Sequence, residues 1–177
     1  DLVREFVDAM PKRIDEYESL LTRNAIWLKR TRGVGVLRAA DAIAHGVTGP
    51  ALRASGVDYD VRKARPYSGY EKYAFEVPLG TEGDVYDRYL VRIEEMRQSV
   101  RILDQVLRDF PDGPVNVDDP KIFLPAKKKV LTSMEELIHQ FMLVTEGFLC
   151  PSGEVYHSTE VPKGELGFYV VSTGGKS

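Results

Sequence analysis

Gly83-Asp84-Val85-Tyr86-Asp87-Arg88-Tyr89-Leu90-Val91-Arg92-Ile93-Glu94-Glu95-Met96-Arg97 is the stretch that decides the class of fold. Its apolar residues Tyr86, Leu90, Ile93 and Met96 (with Arg97 beside it) recur at three- and four-residue steps, and the series continues through Val100, Leu103 and Leu107. That period predicts an amphipathic helix over residues 84–110, with Asp84 placed to cap its first turn. Asp84/Arg88 and Asp104/Arg108 have the spacing of helical ion pairs. At a rise of ~1.5 Å per residue such a helix is about 40 Å long, the length of a full bundle helix.

Upstream, Leu2, Phe6, Val7, Met10, Ile14, Tyr17, Leu21 and Leu28 repeat the same period, so the opening is helical. Pro11 either kinks one long helix or sits in the first turn of a second. Gly33 and Gly35 end the segment, and a short helix over residues 39–45 follows, closed by Gly46. Residues 46–83 are rich in turn signals and form the least regular part, with a short strand expected at 73–77. Downstream of a Pro- and Gly-containing loop, Ser133 and Glu136 have the spacing of a capping box. Met134, Leu137, Ile138, Phe141 and Met142 form the apolar stripe of the helix that starts there, and Gly147 stops it. From Pro151 the pattern changes to paired strands around Pro162-Lys163-Gly164. The expected fold is mainly α with a small antiparallel sheet (α+β). It is read as one partial domain over residues 1–177: helical at 1–45, irregular at 46–83, a helical hairpin at 84–147 and a β-hairpin at 153–173.

The 177 residues are 43% hydrophobic and 29% charged, enough for a packed core. The net charge of −3, with both signs interspersed, argues against a nucleic-acid surface. Cys150 is the only cysteine, so neither an internal disulfide nor a cysteine-held cluster is available, and a reduced compartment is the natural expectation. No apolar run reaches membrane-spanning length, and no leader segment is recognisable, so membrane association is expected only through partners. Both ends read as cut, which suggests a piece of a longer protein.

Several motifs dissolve on inspection. Gly33-Val34-Gly35 lacks the preceding strand and the third glycine of a dinucleotide loop, since position 38 is Arg. Gly175-Lys176-Ser177 lacks the earlier glycine of a phosphate loop, where Val170 stands. His45, His139 and His157 lie on separate elements without metal-ligand spacing, and no metal is expected. Two segments hold more promise. Residues 48–63 place Arg53, Asp58, Asp60, Arg62 and Lys63 around glycines, as an anchored polar network or as ordinary loop-fixing ion pairs; the residues alone favour the second. Glu160-Val161-Pro162-Lys163-Gly164-Glu165 puts two carboxylates around a lysine at a tight bend, either projecting Lys163 into a cavity or forming a solvated hairpin tip, again with the second favoured.

These two segments, read with Asp15-Glu16-Tyr17-Glu18, the stretch 83–97, Thr132-Ser133-Met134-Glu135, Thr145-Glu146-Gly147 and Pro162-Lys163-Gly164-Glu165-Leu166-Gly167, resemble one family in order and spacing. It is the 49-kilodalton-type (D-type) subunit of NADH-quinone oxidoreductase, respiratory complex I, which is related to nickel-iron hydrogenase large subunits. The resemblance covers essentially the whole chain. It implies a hydrogenase large-subunit-like helical bundle, cut here from a larger subunit. It also implies a role in passing electrons from a neighbouring subunit's iron-sulfur cluster to quinone, coupled to proton translocation. Pro162-Lys163-Gly164 matches a Pro-Arg-Gly turn of the hydrogenases, with Lys for Arg, and that match makes Glu160, Pro162, Lys163, Gly164 and Glu165 candidates for the quinone-cavity wall. Arg53, Asp60 and Arg62 become a structural polar network. By the same resemblance the quinone headgroup ligands, a histidine and a tyrosine, belong to an upstream segment outside this chain, so none of its histidines inherits that role and no catalytic residue is assigned here. The chain alone is expected to be inactive and to bind no cofactor of its own. Quinone is the substrate, and NADH and the iron-sulfur clusters act through partner subunits, among them the cluster-bearing quinone-side subunit. The expected place is peripheral, on the cytoplasmic side of a bacterial inner membrane. The alternative is a non-catalytic helical scaffold that docks neighbouring subunits. A piece of a true hydrogenase would need nickel-ligating cysteine pairs, which the sequence lacks.

Overall fold

The computed structural model describes residues 2–120 and 122–175. Its helices are α1 (Leu2–Leu21), α2 (Ala25–Thr31), α3 (Ala39–Ala44), α4 (Gly49–Ala54), α5 (Val61–Ala64), α6 (Val85–Arg108), α7 (Lys127–Val130) and α8 (Met134–Thr145), with a 3-10 turn at Tyr70–Lys72 between α5 and α6. A two-stranded hairpin, β1 (Gly153–Val161) and β2 (Gly164–Ser172), completes the chain. The fold is therefore mainly α with a small antiparallel sheet, as the sequence pattern predicts. Where that pattern suggests one partial domain, the chain gathers into two compact units. One holds the residues up to Phe110 with Ser158–Gly167, the hairpin tip; the other holds Pro111–His157 with the segment from Phe168 onward. The Lys176-Ser177 end of the rejected phosphate-loop motif lies outside the described residues.

The first unit is organised around α6, whose 24 residues make a rod about 36 Å long. Asp84 caps it as expected, its Oδ1 accepting from the Asp87 amide at 2.8 Å. The other oxygen, Oδ2, accepts from the Gly33 amide at 2.7 Å, which ties the turn after α2 to the start of α6. Gly33 and Gly35 both take positive φ there, consistent with their role in ending the preceding helix. α1 runs as one helix straight through Pro11 and buries Val7 and Ile14. It is fastened to α6 by Arg97 bonding Asp15 and Glu18, and by Arg4 to Asp104 at 2.6 Å.

α6 buries more than the single face its periodicity marks out. Tyr86 and Ile93 belong to that face, but Val91, Gln98 and Ile102 are also buried, because α4 and the segment before α6 pack on its other side. Asp104/Arg108 pair as the spacing predicts, whereas Arg88 bonds the carbonyls of Gly83 and Gly35 rather than Asp84.

The stretch 46–83 is more ordered than its turn signals suggest, since it contains α4, α5 and the 3-10 turn. The strand expected at 73–77 does not form. Its backbone is extended, but side chains of α6 take the hydrogen bonds that a neighbouring strand would have supplied. Gln105 both accepts from the Ala74 amide and donates to the Ala74 carbonyl (2.8 Å each), and Gln98 accepts from the Glu76 amide at 3.0 Å. Two glutamines on a rigid helix thus satisfy the peptide groups of a segment that has no ladder partner.

In the second unit Ser133 occupies the cap position of α8, but its side chain makes no capping bond, so the capping box is not formed. α8 buries none of its residues: Met134, Leu137, Ile138, Phe141 and Met142 are all exposed. The strand residues Phe168, Tyr169, Val170 and Val171 are likewise exposed, on both faces of β2.

Asp84 is a direct test of how α6 is anchored. Asp84→Ala removes a helix cap and the clasp to Gly33, and leaves the buried Asp87 amide unpaired, so it should cost about 2–3 kcal/mol. Urea unfolding monitored by the Trp27 fluorescence of the first unit would measure it, with exposed Glu82→Ala expected within about 0.5 kcal/mol of the parent.

Candidate functional site

The Arg53 side chain is 1% exposed, one of the largest fully buried side chains in the protein. A buried guanidinium needs both charge compensation and acceptors for its five N–H groups, and three elements supply them. Glu95 of α6 accepts from Nε at 2.8 Å and from Nη2 at 2.5 Å. Glu160, at the end of β1, accepts from Nη2 at 2.9 Å. The Tyr59 carbonyl accepts from Nη1 at 3.0 Å, and the Asp60 carboxylate lies 3.6 Å from the same nitrogen. Asp60 is itself fully buried and binds Arg62 through a two-pronged pair at 2.9 and 2.6 Å, while also capping α5 through the Arg62 amide at 2.9 Å. The Arg62 guanidinium lies over the Phe75 ring at 4.9 Å, and Lys63 lies over the same ring at 4.1 Å. The exposed Asp58 takes no part in the network.

Two cations and three carboxylates are thereby enclosed together. The Glu95 carboxyl is pushed above its usual range by burial, against the pull of Arg53. At Asp60 burial also acts to raise the pKa, but the hydrogen bonds and charge of Arg62 together outweigh it and hold the group below its usual range.

The same network fixes the hairpin tip. Glu160 also accepts from the Val61 amide at 3.3 Å, and its own amide donates to the Tyr67 hydroxyl at 2.9 Å. On the other side of the turn, the Glu165 amide donates to Thr48 Oγ1 at 2.9 Å, and the Glu165 carboxylate accepts from Tyr59 and Arg65 at 3.0 and 2.7 Å. Hydrogen bonds from Ser158, then from Tyr59 and Arg65, hold that carboxyl below its usual range. Between these clamps Gly49 meets the backbone of Gly164 and Lys163 so closely that a Cβ on it would collide with main chain, and a Cβ on Gly164 would collide with Thr48 Oγ1 and press on the Thr48 main chain. Both take positive φ, +68° at Gly49 and +139° at Gly164, so only glycine fits the conformation and the space.

The solvated-tip reading of the bend is therefore correct for Pro162 and Lys163, which are exposed, and incorrect for Glu160, whose side chain is 5% exposed. All five candidates at the bend come together with Arg53, Asp60 and Arg62 in one neighbourhood. It borders a cleft of about 650 Å³ whose walls include Arg53, Glu95, Met96, Glu160, Pro162 and Lys163. That volume is in the range of small-molecule pockets. Among the described residues no group of three or more His, Cys, Asp or Glu side chains is placed to hold a metal ion.

Glu95, Tyr59, Tyr67, Thr48 and Arg65 were not legible as site residues from sequence. For Glu95 a signal exists: Val91, Glu95, Gln98 and Ile102 follow one another at steps of four, three and four, so a carboxylate and an amide interrupt an apolar stripe. Polar groups on such a stripe are buried only with partners.

Two outcomes follow from this network. Arg53→Met leaves Glu95 and Glu160 buried without their counter-ion and should cost about 3–5 kcal/mol in denaturant unfolding, whereas Glu16→Gln in the exposed pair with Arg13 should cost less than about 1 kcal/mol. Stability should also vary with pH in two opposed ways. The raised Glu95 pKa makes the folded state bind a proton before the unfolded one, so stability increases as pH falls from neutral towards the usual Glu value of 4.5. The lowered Asp60 pKa contributes stability above the usual Asp value of 3.8, and that contribution is lost as pH falls through the folded value. Thermal melts across this window should show the first increase abolished in Glu95→Gln.

Comparison with known proteins places this arrangement. A family model described as the respiratory-chain NADH dehydrogenase, 49 Kd subunit, matches residues 1–177. The chain is 58% identical over 173 residues to the D-type subunit of NADH-quinone oxidoreductase from Methylacidiphilum infernorum, covering 98% of this chain and 41% of that protein. It is 62% identical over 174 residues to a D-type subunit of the same name from Opitutus terrae (98% and 41%) and 58% identical over 175 residues to one from Chloroflexus aurantiacus (97% and 43%). The chain thus spans less than half the length of these curated relatives.

Proposed function

The chain belongs to the respiratory-chain NADH dehydrogenase 49 kDa subunit family, and from that premise we propose that it forms part of the quinone-side wall of NADH-quinone oxidoreductase. In this role electrons pass from a neighbouring subunit's iron-sulfur cluster to quinone, coupled to proton translocation. The single observation that carries the proposal is the Arg53-centred network, which clamps the Glu160–Glu165 bend beside a cleft of small-molecule size. A quinone-cavity wall at this bend is what the resemblance implies, and an enclosed polar wall with Lys163 on a fixed turn supports that reading. A quinone carbonyl is a hydrogen-bond acceptor, and Lys163 presents a charged donor on a fixed turn. Met96, Val161 and Pro162 offer the apolar surface that a quinone ring requires.

The protein's own share is binding and orientation. The electrons, the NADH and the clusters belong to partner subunits, so the chain alone is proposed to catalyse no turnover. No helix among the described residues is long and apolar enough to cross a membrane. Attachment at the cytoplasmic face of a bacterial membrane would come through those partners. A hydrogenase large-subunit-like arrangement of the helices belongs to the same proposal.

A second reading is favoured by a separate observation: the uncovered apolar residues of α8 and β2 suit a scaffold that docks neighbouring subunits. The two are separated by titrating the chain with a soluble quinone analogue while following Trp27 and tyrosine fluorescence, alongside capture of the purified cluster-bearing quinone-side subunit. Saturable quinone binding, weakened about fivefold or more in Lys163→Ala, supports the cavity wall. Capture of that partner by a folded chain that binds no quinone supports the scaffold instead.

A further inference from the structure

The cleft beside the hairpin tip is lined by four cations, Arg53, Arg62, Arg92 and Lys163, against two carboxylates, Glu95 and Glu160. The cations are not equivalent. Arg53 is committed to Glu95 and Glu160, and Arg62 to Asp60 behind the wall. Arg92 has one hydrogen bond, from Nη1 to the Arg88 carbonyl at 3.0 Å, and no ion pair among the described residues. Lys163 likewise has no ion pair among them. Even with Asp60 counted, the neighbourhood carries a positive excess in a chain whose net charge is −3.

Both free cations stand on rigid supports. Arg92 projects from the third turn of α6, one turn before the buried-network residue Glu95. Lys163 sits on a turn fixed by Glu160 on one side, by Glu165 on the other and by the glycine contact beneath it. Because the backbones that carry them are already fixed, gripping a ligand costs only side-chain freedom and no loop ordering. Nothing in the sequence pattern singles out Arg92, which reads as one more charge on the polar side of a helix.

We propose that this cleft is anion-selective: Arg92 and Lys163 together bind a negatively charged oxygen on an aromatic ligand, such as the enolate oxygen of a deprotonated hydroxyquinone. The assignment deepens the quinone reading and rests on it for the ring that carries the oxygen, while the anion preference itself rests on the two free cations. Glu95 and Glu160 face the same space but are held by Arg53, so they do not cancel the field of the pair. Each charge-assisted contact is worth roughly a factor of ten in affinity.

The test is equilibrium binding to the full 177-residue chain at neutral pH of three aromatic probes. They are 2-hydroxy-1,4-naphthoquinone (anionic), 2-methyl-1,4-naphthoquinone (neutral) and 2-naphthoate (an anion without a quinone). Arg92→Gln, Lys163→Gln and the double variant are compared with the parent, with melting curves to confirm that these exposed substitutions leave the fold intact. The expected result is that the anionic quinone binds about tenfold or more tightly than the neutral one. Arg92→Gln should weaken the anion about tenfold and the neutral quinone less than about twofold, whereas Lys163→Gln, which also removes the carbonyl donor, should weaken both, the anion by about tenfold and the neutral quinone by about fivefold. Equal affinity for both quinones, weakened equally by Lys163→Gln and unchanged by Arg92→Gln, overturns the anion site and leaves the quinone reading standing. Binding of 2-naphthoate with sensitivity to both substitutions, but of neither quinone, supports the anion site and removes the quinone reading. Failure of all three probes overturns both.

Discussion

One buried guanidinium, that of Arg53, joins the three parts of the first unit that are distant in sequence. It lies on α4, it binds Glu95 on α6, and it binds Glu160 at the end of β1. The cost of burying a charge makes this constraint exacting. An arginine out of contact with water is tolerated only if its acceptors arrive with it, so the position of each element depends on the others. The network is weak evidence for overall stability, because ion pairs of this kind often add little beyond an apolar replacement. What it provides is register: α4, α6 and the hairpin tip have one arrangement in which every buried charge of the network meets a partner of opposite sign.

That constraint explains features that otherwise look incidental. Glycine at 49 and 164 permits the backbones of α4 and the turn to touch, which is the separation the Arg53–Glu160 pair needs. Asp60 serves both as a helix cap and as the counter-ion of Arg62, so the start of α5 is locked to the same cluster. The glutamines at 98 and 105 hold the extended segment whose Phe75 packs beneath Arg62 and Lys63. The wall of the cleft is thus assembled from side chains that each have a structural partner. The exposed Arg92 and Lys163 are left to meet a ligand.

Much of this was legible in the sequence, and the gaps have physical causes. The period of α6 and its Asp84 cap, the helical opening and the closing hairpin are local properties, and local patterns report them, whereas the passage of α1 straight through Pro11 and the break between Leu21 and Ala25 were not settled by pattern. Arg53, Asp60 and Arg62 stood out because charges crowd around glycines, and their grouping is found in the structure. The strand expected at 73–77 failed because β-favouring residues mark an extended backbone but not its hydrogen-bond partner, which here is a pair of glutamine side chains. The capping box at Ser133 failed although its spacing is right, since spacing permits the bond without requiring it. Glu95 was missed because its partners, Arg53 and through it Glu160, lie 42 and 65 residues away, beyond the reach of any helical pattern. Family resemblance, by contrast, drew on the order of many short motifs at once, and the family match over the whole chain agrees with it.

The central claim, that Arg53 holds the hairpin tip in place, is most directly tested by residue-resolved amide hydrogen exchange in the parent and in Arg53→Met under conditions where both are folded. The account predicts much faster exchange at the Val61, Glu160 and Glu165 amides, with the Ile14 and Val7 amides of α1 changed far less. Equal protection at the tip in both proteins, or a uniform loss across the first unit that leaves the tip undistinguished, would contradict it.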